Sequence, residues 1–414
     1  MYTEATLKAA IARRDTLRAV LGLGVTQIIG WGCSFTAITI FGTPISASLG
    51  LEREVVFAGL TLLLLVSAAL APRVGKLVDR LGARPVMVAG SVIAALAMLA
   101  QSQASGLITY MIGWTIYGIA MPMALNSAAM PGLVQVVGPN ARRAITGLAL
   151  LTGLTGTVFL PLSAFLLDTI GWRNAYLVFA ALHLAVCLPI HMLVLKRRAD
   201  PDVAPSKGAT KAAVSPDGVL PASLRRRAFI LITVWSCTEG LLTWGLYMQV
   251  IDVLMGMGIP RDTAVWTWAL VGPAQATARF VELMSGGRHS ILMTAFFSAA
   301  MTSASFLAFV LVGVSPSSII VFCLLMGLGH GLFVVARNTL PLTLFGARQF
   351  GHYMGLLTVP QNIVNAVAPI LFAFIIARLS PAGALIVAGL AAITGGIAVA
   401  YLVRFCRPHL ADAG

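Results

Sequence analysis

The chain has 414 residues, 58% of them hydrophobic and only 10% charged, with a mean hydropathy of +0.92. A soluble globular domain carries about 25% charged residues, so this composition excludes a soluble fold and points to an all-α polytopic membrane protein. The net charge of +14 would suggest a nucleic-acid partner in a soluble chain; here the cations lie in short loops between apolar runs, where they report topology, and no nucleic acid is expected.

The first apolar run starts after Arg18 and continues to about Leu49. It is too long for the core of a signal peptide and no small-residue cleavage site follows, so it reads as the first span. With about 20 apolar residues needed to cross a bilayer, the hydropathy predicts twelve spans, at 17–46, 54–71, 85–103, 107–137, 143–167, 173–195, 228–253, 263–284, 289–313, 318–344, 352–377 and 382–403. One long polar break, Lys196 to Arg227, holds Pro201, Pro205, Pro216, Pro221, Gly208 and Gly218 and reads as a flexible linker. The expected organisation is a six-helix bundle over 1–195, a linker over 196–227 and a second, pseudo-symmetric six-helix bundle over 228–414. With the N-terminus inside, 23 of the 28 Lys and Arg fall in inner segments; four (Arg53, Arg173, Arg261 and Arg378) fall outside and Arg337 lies within span 10. That asymmetry predicts both termini in the cytoplasm.

Between spans 2 and 3 stands Gly75-Lys76-Leu77-Val78-Asp79-Arg80-Leu81-Gly82-Ala83-Arg84. Glycines here allow close backbone approach and a tight bend, and Asp79 is placed to pair with an arginine or to cap a neighbouring helix N-terminus. Gly75, Asp79, Arg80, Gly82 and Arg84 match the Gly-x-x-x-Asp-Arg-x-Gly-x-Arg loop, and in this the chain resembles the major facilitator superfamily. The resemblance implies that the loop is a gating latch that breaks as the two halves rock. Gly171-Trp172-Arg173, after span 5, is similar to a sequence that many members carry there. Gly272 to Gln275 and Arg337 to Leu342 resemble a bacterial branch near the monocarboxylate-porter and oxalate–formate-type members. Weak internal repeats agree with a duplicated fold: Gly147 and Pro161 match Gly355 and Pro369, Trp31-Gly32 echoes Trp244-Gly245, and Ala278, Glu282 and Arg288 stand roughly where Gly75, Asp79 and Arg84 stand.

Helices 1, 4, 7 and 10 line a central cavity in the fold that the resemblance implies, so polar residues on them are site candidates. Glu239 is the one acidic residue well inside a span, roughly eleven residues into helix 7. An ionised carboxylate there is costly without a cation, which makes Glu239 the candidate proton carrier; a structural hydrogen bond to a neighbouring helix is the alternative. Thr243 and Tyr247 continue its face. His330, at similar depth in helix 10, titrates or packs among Gly327, Gly329 and Gly331, while His183 and His191 read as peripheral. Arg337 either binds a substrate carboxylate in a forked manner, as an intramembrane cation does in monocarboxylate-type relatives, or snorkels or pairs with Glu282. Gln27, Trp31, Asn126, Trp244, Gln275, Asn338, Gln361 and Asn365 complete the expected polar, aromatic-walled substrate band, with Asn362 beside it.

The five cysteines are scattered, with no Cys-x-x-Cys pair; neither disulfides nor a metal site is expected, and they read as small buried hydrophobes. No nucleotide-binding loop and no nucleophile–base set stands out, so no cofactor and no enzyme activity are expected. The reading is a monomeric secondary transporter in a bacterial inner membrane, surrounded by lipid, that moves a small anionic or polar organic solute by alternating access with proton coupling. An efflux pump for drugs or metalloids is the alternative within the class, and a non-transporting receptor the alternative outside it.

Overall fold

The computed structural model describes residues 4–138, 141–195, 218–286, 289–313 and 315–411. Residues 196–217 of the expected linker, and Arg288, lie outside them. Among the described residues all regular structure is helical. Twelve helices follow in order: α1 (4–49), α2 (Arg53–Leu81), α3 (Ala83–Ser102), α4 (Leu107–Val137), α5 (141–170), α6 (172–194), α7 (Ala222–Gly256), α8 (261–285), α9 (Ile291–Val312), α10 (Pro316–Phe345), α11 (Phe350–Arg378) and α12 (Pro381–Ala411). Nine described stretches are long and apolar enough to cross a bilayer, and one of them, Ala141–Val194, is the α5–α6 pair. That pair turns at Gly171, whose φ of 75° and ψ of 162° no helix can contain.

Four boundaries differ from the hydropathy reading by six residues or more, among them the start of α1, at Glu4 and not 17, and the end of α12, at Ala411 and not 403. Helix α2 does not stop near residue 71 but runs on to Leu81, giving 29 residues. At 1.5 Å per residue it is about 43 Å long against a hydrocarbon thickness of about 30 Å, so its charged end projects beyond the apolar layer. Helix α7 starts at Ala222, not 228. The residues just before it are held on the end of α10: Val219 N–H donates to Thr343 O (3.2 Å) and Leu220 N–H to Leu344 O (3.2 Å). Those two carbonyls are among the four that a helix leaves without an intrahelical donor.

The chain divides into two compact units. The first takes α1–α6 with the start of α11, residues 346–359; the second takes residues 218–345 and the chain from Pro360. The first is filled by stacked and edge-on aromatics, among them Phe41, Tyr110, Trp114, Tyr176 and Phe179. The second packs Leu242, Leu246, Phe306, Phe322 and Phe372. Large apolar side chains such as Ile108, Leu193, Ile386 and Ile397 face outward, as lipid as solvent allows.

The same packing device occurs in each unit. A side chain on Gly32 of α1 would enter the ring of Phe159 on α5, and one on Gly245 of α7 would enter the ring of Phe372 on α11. Each glycine lies in a π-helical turn, Gly32–Thr36 in α1 and Leu242–Leu246 in α7. The Trp-Gly echo therefore marks two equivalent places where a ring is seated against bare backbone. A π turn adds one residue to a helical turn and frees carbonyls, and such turns concentrate at functional sites.

Candidate functional site

The charged end of α2 meets the start of α11 within the first unit. Ala71, Gly75 and Asp79 recur every fourth residue and share one face of α2. Gly351 and Gly355 do the same on α11. A Cβ on Gly75 would strike the Gly351 carbonyl oxygen, and one on Gly355 the Ala71 carbonyl oxygen, so the small residues bring the two backbones into contact. One turn further on, the Asp79 carboxylate accepts from the Gly351 N–H (2.9 Å) and the His352 N–H (2.8 Å). These are donors in the first turn of α11, where the helix dipole favours an anion.

Of the two partners open to Asp79 from sequence, the helix N-terminus is the one observed. The bend is also narrower than expected. Gly75 makes no turn and serves close approach alone, while Gly82, at φ 84°, makes the whole turn between α2 and α3. Gln135 braces it from α4, accepting from Ala83 N–H (2.9 Å) and donating to Val78 O (3.4 Å). Arg80 is exposed and Arg84 half-buried.

In the second unit, Glu239 on α7 is buried, and His330 on α10 places Nδ1 3.6 Å from its Oε2. Thr243 lies in the π turn of α7. Its hydroxyl donates to Glu239 O (2.8 Å) and stands 3.3 Å from His330 Nδ1. Phe333 and Tyr247 close over the imidazole at centroid distances of 5.6 and 5.7 Å. The glycines around His330 explain its aim. Gly327 and Gly331 seat α10 on α8, at Val271 and Gln275, and Gly329 seats it on Thr302 of α9, leaving the imidazole directed to α7.

Arg337 lies two turns along α10, also buried. Its Nη2 donates to Gln361 Oε1 (2.6 Å) and its Nη1 to Asn338 Oδ1 (3.0 Å). Neither snorkelling nor a Glu282 pair is seen; Glu282 instead accepts from the Thr294 hydroxyl (3.3 Å to each oxygen). Arg337 Nε has no hydrogen-bond partner among the described residues. The cluster extends along α11: with its amide oriented to satisfy both neighbours, Asn365 donates to Gln361 O (3.1 Å) and accepts from the Trp244 indole (3.1 Å). Gln275 does not join it. Its Oε1 accepts from Arg279 Nη2 (3.1 Å) on the same helix.

Arg279 is the residue that the sequence reading missed. Counted there as an inner-loop cation, it is buried inside α8, which takes one charge from the inner set. The four-residue step from Gln275 is the signal that could have found it.

The first unit holds the other candidates more loosely. Helix α4 breaks at Leu125, where φ is −99° and ψ −157°. The Gln27 amide donates across to Ala124 O (2.9 Å), a carbonyl beside the break. Trp31 packs against Phe35, the rings tilted with centroids 5.1 Å apart. Trp31 Nε1 and Asn126 Oδ1 have no hydrogen-bond partner among the described residues. Both histidines read as peripheral are in fact buried in this unit: His191 Nδ1 lies 2.8 Å from the Ser91 hydroxyl of α3, and His183 opens a π turn of α6 and faces Tyr117.

The sequence profile of the Major Facilitator Superfamily matches residues 23–340. The chain belongs to this superfamily. Among curated proteins it is similar to monocarboxylate transporter 4 of Rattus norvegicus, 26% identical over 370 residues that cover 84% of this chain and 74% of the relative. It is also similar to monocarboxylate transporter 11 of Homo sapiens, 30% identical over 224 residues that cover 53% and 45%. Among solved structures it shares the fold of the human organic anion transporter MFSD10, with a TM-score of 0.69 at 17% identity over 94% of this chain and 99% of that one. The fold is shared too with FucP in its outward conformation, with a TM-score of 0.67 at 14% identity over 92% and 97%. This superfamily member is an integral membrane secondary transporter of small molecules and not an enzyme.

Proposed function

We propose that this transporter carries small organic monocarboxylates together with protons. The observation that carries the reading is Arg337, a buried guanidinium whose hydrogen bonds go to the neutral amide oxygens of Asn338 and Gln361. A buried cation held only by neutral acceptors leaves its charge uncompensated, and a carboxylate fits the planar fork. The resemblance to proteins named monocarboxylate transporters supports the same substrate class. Trp31, Asn126, Trp244, Gln275, His330, Asn338, Gln361 and Asn365 are proposed to contribute to solute binding. Gln27 is proposed to support that surface from behind.

Glu239 is proposed as the proton carrier, with His330 as its partner, because the buried carboxylate and the half-buried imidazole face each other from α7 and α10. The cluster of Gly75, Asp79, Arg80, Gly82 and Arg84 is proposed as a latch that opens and closes in the transport cycle. The cation asymmetry of the loops supports cytoplasmic termini, and the composition a bacterial inner membrane. The reading also takes 1–195 and 228–414 as the two six-helix halves and a monomer as the working unit.

The test is a thermal-shift screen of purified protein against small carboxylates, repeated on Arg337→Ala, with uptake into proteoliposomes. A carboxylate that stabilises wild type and not the variant is the expected result. Stabilisation by neutral or cationic compounds alone, unchanged in Arg337→Ala, would move the reading to efflux.

A further inference from the structure

Helices α9 and α12 run antiparallel on the outer surface of the second unit. The Ser303 hydroxyl donates to Ala392 O (3.0 Å), and Phe306 packs on Gly389, while at the other end Phe296 faces Ala400. Between them, at the C-terminal end of α12, opens a cavity of about 510 Å³ lined by Phe296, Ala400, Val403, Arg404, Arg407 and Pro408. Its wall is apolar and its rim carries two exposed cations.

The surface around it shows the level at which it sits. Ile386, Leu390, Ile393, Ile397 and Tyr401 are all exposed on α12. They follow helical spacing and form an apolar stripe about 22 Å long. The stripe ends at Tyr401, stacked on Phe405 at 6.3 Å, and the two arginines follow at once. An outward apolar stripe closed by an aromatic pair and then by cations marks the boundary between hydrocarbon and headgroups. The N-terminus of α9, capped by Ser290, lies at this same end and adds partial positive charge.

We propose that this cavity is a binding site for one anionic phospholipid. Arg404 and Arg407 hold the headgroup phosphate, and an acyl chain lies against Phe296, Ala400 and Val403. A basic pocket between spanning helices at headgroup level has the chemistry for this. The phosphate and the chain must both be recognised, since the cations stand at one end only of an apolar groove.

The test is native mass spectrometry of the full chain released from nanodiscs of phosphatidylglycerol and phosphatidylethanolamine. Wild type is expected to keep one phosphatidylglycerol per chain. Arg404→Gln/Arg407→Gln is expected to lower retention roughly thirtyfold, and Ala400→Trp, which fills the groove and spares both cations, at least tenfold. Arg226→Gln/Arg227→Gln, which removes two exposed cations elsewhere, is expected to keep it. Equal loss in both double variants would reduce the effect to diffuse charge and overturn the site. Retention in Arg404→Gln/Arg407→Gln at the wild-type level would do the same. A thermal shift given by inorganic phosphate alone, equal to that given by phosphatidylglycerol vesicles and unaffected by Ala400→Trp, would assign the arginines to free phosphate and overturn the lipid.

Discussion

Replacing Asp79 by Asn tests the junction of α2 and α11 directly. The carboxylate accepts two backbone N–H groups at 2.9 and 2.8 Å in the first turn of α11. A hydrogen bond to a charged group contributes about 1.5–3 kcal/mol, and a charge at a helix N-terminus typically about 0.3–1 kcal/mol. Asp79 is only half-buried, so water takes back part of this. Asparagine keeps one acceptor oxygen, loses the charge, and turns its NH2 toward the other N–H. The expected local cost is about 2 kcal/mol, roughly a thirtyfold change in an equilibrium. Asp79→Ala, which loses both bonds, should cost more. The assay is hydrogen exchange of the segment 350–355, where faster exchange on that scale is expected at Gly351 and His352 without global unfolding. If both variants exchange like wild type while transport falls, Asp79 does not hold α11 and its role lies elsewhere.

Two further substitutions separate packing from binding. Gly245→Ala drives a methyl into the Phe372 ring and should cost about 1–3 kcal/mol by overpacking. Adding Phe372→Leu should recover part of the loss of thermal stability, and strict additivity of the two would show that the contact is not what matters. Gln27→Leu leaves the Ala124 carbonyl without its donor and should cost about 1–3 kcal/mol while leaving solute affinity unchanged; a large loss of affinity at unchanged melting temperature would make Gln27 a direct ligand.

Hydropathy was enough to place the twelve helices because lipid leaves a chain few alternatives, and the Gly-Trp-Arg sequence foretold the turn at Gly171. The same signal misjudged α2, since hydropathy reads where the membrane ends and not where the helix ends. Val74 to Leu81 includes charged residues, and Leu, Lys and Arg among them sustain a helix well. Arg279 was misread for the related reason that a cation near the end of an apolar run looks like a loop cation. Asp79's partners were out of reach for a different reason. They lie 272 and 273 residues along the chain, and only the matched spacings of Ala71–Gly75 and Gly351–Gly355 hinted at them. The helix break falls at Leu125, three residues after Pro122; a proline marks a kink in a span but not which carbonyl the kink frees, so the sequence did not name the acceptor that Gln27 satisfies.

The proposed proton pair and the proposed anion site share one rigid element, and the spacing sets how strongly they can couple. His330 and Arg337 are seven residues apart on α10, hence two turns along the same face and about 10.5 Å apart. At an effective dielectric of about 20, a unit charge at that distance is worth about 1.6 kcal/mol, close to fifteenfold in affinity. The sign follows from the charges. A proton added to the Glu239–His330 pair removes a negative charge or adds a positive one, and either change favours an anion at Arg337. By linkage, an anion bound at Arg337 favours protonation of the pair to the same extent. Binding of a carboxylate should therefore take up protons, the direction that symport needs. Calorimetric titration in buffers of differing ionisation enthalpy counts those protons. Uptake of a fraction of a proton, at most about 0.6 for a fifteenfold coupling, is expected for wild type, with none in Glu239→Gln, which should still bind the anion, stay folded and fail to transport in response to a pH gradient. Undiminished uptake in Glu239→Gln, or full proton-driven transport by it, would place the coupling group elsewhere.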